Sequence, residues 1–201
     1  PEKLVLAANL LTEENSARLV SLKPFCEQLT QMALAADDIA ARDLIILRTE
    51  METLGLGTAR IHLRINAAQL QSVIRRDLGL ATENHEIGQV ALDALAAKIR
   101  SNEKVEINFS DLFLEQGTAK RQLMMCAQIL KHIDADQPIR FLIAESENPA
   151  TVLGAVYLAR FYDVAGQLDI SPLFETSEAL DATEPLSCFF FSRNYTARLF
   201  S

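Results

Sequence analysis

The stretch Thr58-Ala-Arg-Ile-His-Leu-Arg-Ile-Asn66 (TARIHLRIN) decides how the chain is read. Its apolar residues Ala59, Ile61, Leu63 and Ile65 fall at every second position, and Arg60, His62, Arg64 and Asn66 fill the alternate places. Successive side chains of a strand point to opposite faces, so the pattern predicts a strand with one apolar and one strongly polar face. A stripe at helical spacing follows at once, Leu70, Val73, Ile74 and Leu78, and Gly79 suits the left-handed stop. The unit is strand, then helix.

Upstream, the glycines of LGLG (54–57) separate this unit from residues 1–53, which read as helix. That region has a Thr12-Glu13-Glu14 start and apolar spacing through Leu22, Phe25, Cys26, Leu29, Met32, Ile39, Ile45 and Ile46. Pro24 must begin or kink one of its helices, because proline lacks the N–H that a helix interior uses. Downstream, helices are expected over about 86–100, on Ile87, Val90, Ala91, Ala94 and Leu95, and over about 118–133. Between them KVEINF (104–109) alternates briefly and reads as a strand.

IRFLIAES (139–146) is a mostly apolar run of the kind found in strands covered on both faces. Asn148 as N-cap and Pro149 at the first helical position then open a helix to about Val164, ended by Gly166. LDISPLF (168–174) is the next strand, and Thr176 or Ser177 can cap a short helix through Leu180. Repeated strand-helix units predict an α/β fold with parallel strands and extra helices outside the sheet. Residues 1–53 form a helical region, 54–182 the strand-helix units, and 183–201, with the cluster CFFFSRNY, take no assignment.

The 201 residues are 49% apolar and 23% charged, which suits a globular chain with a sizeable core. Nineteen Lys and Arg against 27 Asp and Glu give a net charge of −8, whose field repels phosphate backbones and anionic membranes. A nucleic-acid partner is therefore not expected. No apolar run nears the roughly 20 residues that span a bilayer, and no signal pattern opens the chain, so a cytoplasmic location is expected. Cys26, Cys126 and Cys188 are odd in number and far apart, which fits free thiols. The start at Pro1 rather than Met suggests a processed product or an excised fragment.

In folds built from strand-helix units, ligands gather at the carboxyl ends of the strands, where loops and helix N-termini converge. Arg64 and Asn66, Glu145 and Ser146, and Glu175 and Thr176 hold those places. Arg60 and Arg64 share a face about 13 Å apart at ~3.3 Å per residue, a spacing for an elongated anion or for internal salt bridges. Glu175 is a hard oxygen ligand of the kind Mg²⁺ or Mn²⁺ prefers, but it can equally cap the next helix or pair with an arginine of a neighbouring strand. Glu145 has the same alternatives, with Ser146 and Asn148 reading as caps. His62, His85 and His132 are scattered, and no nucleophile elbow, phosphate-cradling glycine loop or H-E-x-x-H occurs.

Taken together and in order, LGLGTARIHLRINAAQ, QPIRFLIAESENPATVLGAVYLARFYDV and LDISPLFETSEAL resemble the central part of phosphoenolpyruvate carboxylase, over most of residues 20–180. The resemblance implies a partial (β/α) barrel of the TIM type with additional N-terminal helices, in a family that is usually tetrameric. It implies the joining of bicarbonate to phosphoenolpyruvate, giving oxaloacetate and phosphate, with Mg²⁺ or Mn²⁺. SPLFET carries the metal-ligand role to Glu175. RIHLRIN is similar to the strand that supplies a phosphoenolpyruvate-binding arginine, Arg64 first and Arg60 second. The family's catalytic histidine motif lies upstream of this region, and its second metal carboxylate, lysine and glycine-arginine-rich loop lie downstream. None is present here, so the chain alone is not expected to be active. His62 and Asn66 also depart from the family's strand, and the alternatives are a noncatalytic binding or regulatory module, or a mainly helical interaction protein.

Overall fold

The computed structural model describes residues 13, 15, 17–57, 62–80 and 87–181, without the side chains of 178 and 179. Its first two helices are α1 (Lys23–Ala35) and α2 (Asp38–Leu54), which pack on each other. Pro24 lies in the first turn of α1, so it starts the helix rather than kinking it. The expected helix start at Thr12-Glu13-Glu14 is not met: Thr12 and Glu14 lie outside the described residues, and residues 18–22 are not helical. A break the periodicity hid falls at Asp37. Its carboxylate accepts from the N–H groups of Ile39 at 3.1 Å and Ala40 at 3.0 Å, which caps α2.

Among the described residues three strands form the sheet: β1 (His62–Asn66), β2 (Ile139–Ala144) and β3 (Leu168–Pro172). They run parallel in the order β1-β2-β3, and the sheet is open, so among the described residues the fold is mixed α/β without barrel closure. Helices α3 (Ala67–Asp77), α4 (Gln89–Ser101), α5 (Asp111–Leu114) and α6 (Thr118–His132) lie between β1 and β2. Helix α7 (Pro149–Phe161) crosses from β2 to β3, and α8 (Ser177–Asp181) follows β3. Ile65, Ile139, Phe141, Ile143 and Leu168 are buried beneath these helices and share one core with Leu70, Ile74, Leu95, Leu123 and Leu153. Burial of such side chains stabilises by about 1.5–3 kcal/mol each.

Among the described residues the other face of the sheet is less covered, most of all at its amino end. His62 is level with Arg140, and Arg140 with Asp169, and all three are exposed. Among the described residues strand β2 is thus fully covered on one face only, with Arg140 exposed and Leu142 half-buried on the other.

Three further expectations change. KVEINF forms no strand, because no strand lies beside it among the described residues: the Val105 N–H donates to the Phe161 carbonyl at 2.9 Å and the Ile107 carbonyl accepts from Gln128 at 3.1 Å. Helix α4 buries Ala91, Leu92, Leu95, Ala96 and Ile99, leaving Val90 and Ala94 exposed, so its inward stripe is rotated from the expected one. Helix α7 stops at Phe161, and Asp163 (φ 56°) takes the left-handed turn ahead of Gly166. Gly79 does adopt the left-handed conformation after α3, at φ 65°.

Candidate functional site

Asn66 sets the geometry at the carboxyl end of β1. As the last strand residue it also caps α3: its side chain accepts from the Ala68 N–H at 2.8 Å, and its own N–H donates to Gln69 Oε1 at 3.2 Å. Strand and helix are therefore joined without a loop. Arg64, two residues earlier, shares its face. The Arg64 guanidinium lies 2.7 Å from Glu175 Oε1, with the two side chains 59% and 42% exposed. Its carbonyl sits 3.5 Å from Gln122 Nε2 of α6.

The end of β2 is tied in on both sides. The Asn66 amide donates to the Glu145 carboxylate, and Glu145 holds φ 55°, a left-handed conformation that turns the chain out of the strand. Buried Ser146 donates from its N–H to the Leu173 carbonyl at 3.2 Å and from Oγ to the Ile143 carbonyl at 2.9 Å. Leu173 returns a bond to the Ile143 carbonyl at 2.8 Å, so β2 and β3 stay registered past their last ladder pair. Thr176 Oγ1 donates to Glu147 Oε1 at 2.8 Å. Asn148 then caps α7, accepting from the Ala150 N–H at 2.8 Å.

The carboxyl ends of the three strands are thus laced together by Arg64–Glu175, Asn66–Glu145 and Thr176–Glu147. Arg64, Glu145 and Glu175 are exposed, while Ser146 is a structural residue inside the turn. Arg60 lies outside the described residues, as do His85 and Cys188. His62 is on the less covered sheet face, and His132 bonds Arg18 at 2.9 Å, away from the strand ends. Cys26 and Cys126 are buried free thiols. Glu147 and Gln122 were not foreseen: Glu147 follows the strand by one turn residue too many, and Gln122 comes from a helix whose position relative to β1 no local pattern reveals.

Among the described residues the laced strand ends hold one arginine, paired with Glu175, and two further carboxylates, Glu145 and Glu147, an excess of negative charge that a bound cation would relieve. The donor set fits a divalent metal in part. Glu175 offers a hard carboxylate oxygen, but among the described residues no three His, Cys, Asp or Glu side chains gather as a metal site. A Mg²⁺ or Mn²⁺ ion held at Glu175 would draw its remaining ligands from substrate oxygens and water, as Mg²⁺ commonly does. Among the described residues no helix is long and apolar enough to cross a membrane.

Comparison with family models, with curated proteins and with solved structures returned no match to this chain.

Proposed function

We propose that the carboxyl end of the sheet binds a small phosphorylated carboxylate, and that the chain is the central part of a phosphoenolpyruvate carboxylase whose barrel is completed by other strands. The observation that carries this reading is the Arg64–Glu175 pair at 2.7 Å, where an arginine of the laced strand ends meets the carboxylate of SPLFET. An exposed guanidinium with planar donors can receive a carboxylate or phosphate bidentately, and Glu175 holds it in place until the ligand arrives. Transfer of the phosphoryl group to bicarbonate leaves negative charge on the enolate oxygen of pyruvate, and a fixed arginine lowers the cost of that charge. Glu175 would hold the divalent metal, which supplies Lewis-acid neutralisation of the same charge when bound. Glu145 and Glu147 are engaged instead by the Asn66 amide and the Thr176 hydroxyl.

The test is calorimetric titration of the 201-residue chain with phosphoenolpyruvate, with and without Mg²⁺ or Mn²⁺. Saturable binding that metal strengthens and that Arg64→Ala weakens at least tenfold is expected. No binding, or binding indifferent to Arg64, overturns the reading. In a polypeptide that also carries the missing histidine, lysine and carboxylate motifs, Glu175→Ala should remove metal-dependent oxaloacetate formation.

A second reading has its own support. Glu175 is already engaged by Arg64, and no three-ligand group stands near it among the described residues. A noncatalytic binding or regulatory module would use Arg64 alone. Phosphoenolpyruvate binding unaffected by metal would favour that module.

A further inference from the structure

Helices α1 and α2 pack chiefly on one another, and across both of them only Cys26 is buried. The face of α2 turned away from α1 is the unusual one. Ile45, Ile46 and Leu47 are consecutive and 46%, 47% and 46% exposed, and Ile39, two turns earlier, is 79% exposed. Consecutive helical residues are 100° apart, so Ile46 forms a ridge with Ile45 and Leu47 as its shoulders. Such a ridge in water is unfavourable and calls for a partner surface.

The charges beside the ridge say what that partner is. Arg42 lies one turn before Ile46 and Glu50 one turn after it, both exposed. Eight residues apart, they are too distant to pair within one helix, where ion pairs need a spacing of three or four. Among the described residues Arg42 reaches only its neighbour Asp43, at 3.9 Å, while Glu50 has no cation three or four residues away on α2, Arg48 being paired with Glu52. A second α2 laid antiparallel, with the twofold axis at Ile46, places Arg42 opposite Glu50 of the other copy, twice. The same operation sets Ile45 against Leu47 and Ile46 against itself. This self-complementarity is the requirement of an isologous interface.

We infer that α2 is a homodimerisation helix, occupied by α2 of a second copy in antiparallel register about Ile46. The antiparallel sense follows from this one pair, because a parallel arrangement would set Arg42 against Arg42 and Glu50 against Glu50. The inference is independent of the chemistry at the strand ends, since α2 contributes no residue there.

Analytical ultracentrifugation of the 201-residue chain tests it, with circular dichroism to confirm unchanged helix content. The wild type should sediment as a dimer. Ile46→Asp should raise the dimer dissociation constant at least a hundredfold, and Arg42→Glu at least tenfold. The double charge reversal Arg42→Glu with Glu50→Arg should restore association to within about threefold of wild type. A monomeric wild type overturns the proposal in favour of another cover for the ridge. A dimer that survives Ile46→Asp, or that the double reversal fails to restore, overturns it in favour of a different interface.

Discussion

Arg64 of β1 reaches across the central strand to Glu175, which follows β3, so one 2.7 Å ion pair spans the width of the sheet. The residue opposite Arg64 on β2 is Leu142, an apolar side chain over which the guanidinium stem can lie. A salt bridge this exposed contributes little to stability, about 0–1 kcal/mol, so its removal separates folding from function cleanly. Glu175→Ala should shift the urea midpoint by an amount equivalent to less than about 1 kcal/mol while altering ligand or metal binding. A large loss of stability would mean the pair is a structural clamp and nothing more.

Lys120 and Asp77 form the opposite kind of pair. They are 2.7 Å apart with side chains only 14% and 13% exposed, and Tyr157 Oη adds a bond to Asp77 at 3.4 Å. Burial, with the charge and hydrogen bond of Asp77, pushes the Tyr157 hydroxyl up to about 12, so it stays a donor. Removing one partner strands the other charge, and Asp77→Ala should cost about 3–5 kcal/mol. Lys120→Met combined with Asp77→Leu should cost markedly less than the sum of the single changes. Equilibrium denaturation of the four proteins of the cycle measures the coupling, and simple additivity would show that the pair carries none.

Asp136 ties the segment before α1 to the loop before β2. It accepts from Ser21 Oγ at 2.8 Å and the Leu22 N–H at 2.6 Å, and Lys23 Nζ lies 3.5 Å away. Burial alone would raise its carboxyl, but these bonds and the lysine charge outweigh it and hold it below the usual 3.8. A carboxyl depressed in the folded state binds fewer protons there than in the unfolded chain, so its stabilisation is full above the ordinary value and fades as pH falls through the lowered one. The wild type should lose this contribution below about pH 4, and Asp136→Asn should flatten that part of the stability-pH curve. Parallel acid limbs for the two proteins would remove Asp136 from the account.

Gly154 on α7 admits α3 closely. A Cβ at this position would fall 2.8 Å from Ile74 Cγ1, and Ile74 is fully buried, with nowhere to retreat. Alanine is the better helix former by about 1 kcal/mol, but overpacking of this kind costs typically 1–3 kcal/mol. Gly154→Ala should therefore destabilise the chain, and adding Ile74→Val should recover part of the loss. Stabilisation by the single change, seen as a raised thermal midpoint, would show that the two helices can part freely.

The strands were legible because their patterns are local. TARIHLRIN alternates over enough residues to fix both its period and its face, and Asn148-Pro149 announces a helix start that Ala150 completes. The failures were of a different kind. KVEINF alternates as well as a strand does, yet a ladder needs a neighbour, and a sequence window holds no information on that. In α4 the run Leu92 to Ala97 is apolar or small apart from Asp93, so two inward stripes satisfy the spacing and only packing chooses between them. At the strand ends, position alone singled out Arg64, Asn66, Glu145 and Glu175. Which of them join depends on the strand order β1-β2-β3, a non-local fact, and Gln122 and Arg140 entered the description only through it.

The two crossovers of the sheet differ greatly in length. Residues 145–167 carry the chain from β2 to β3 by way of one helix, whereas residues 67–138 carry it from β1 to β2 by way of four among the described residues. Closing the longer loop costs about 1 kcal/mol more in chain entropy, by the logarithmic dependence on a roughly threefold length. The pair β2–β3 with α7 is thus the part of the sheet whose assembly demands least of the chain, and β1 joins at a higher entropic toll. Arg64 belongs to the strand that arrives by the long route and Glu175 to the one that arrives by the short route, so the strand-end pair can form only after both closures are made.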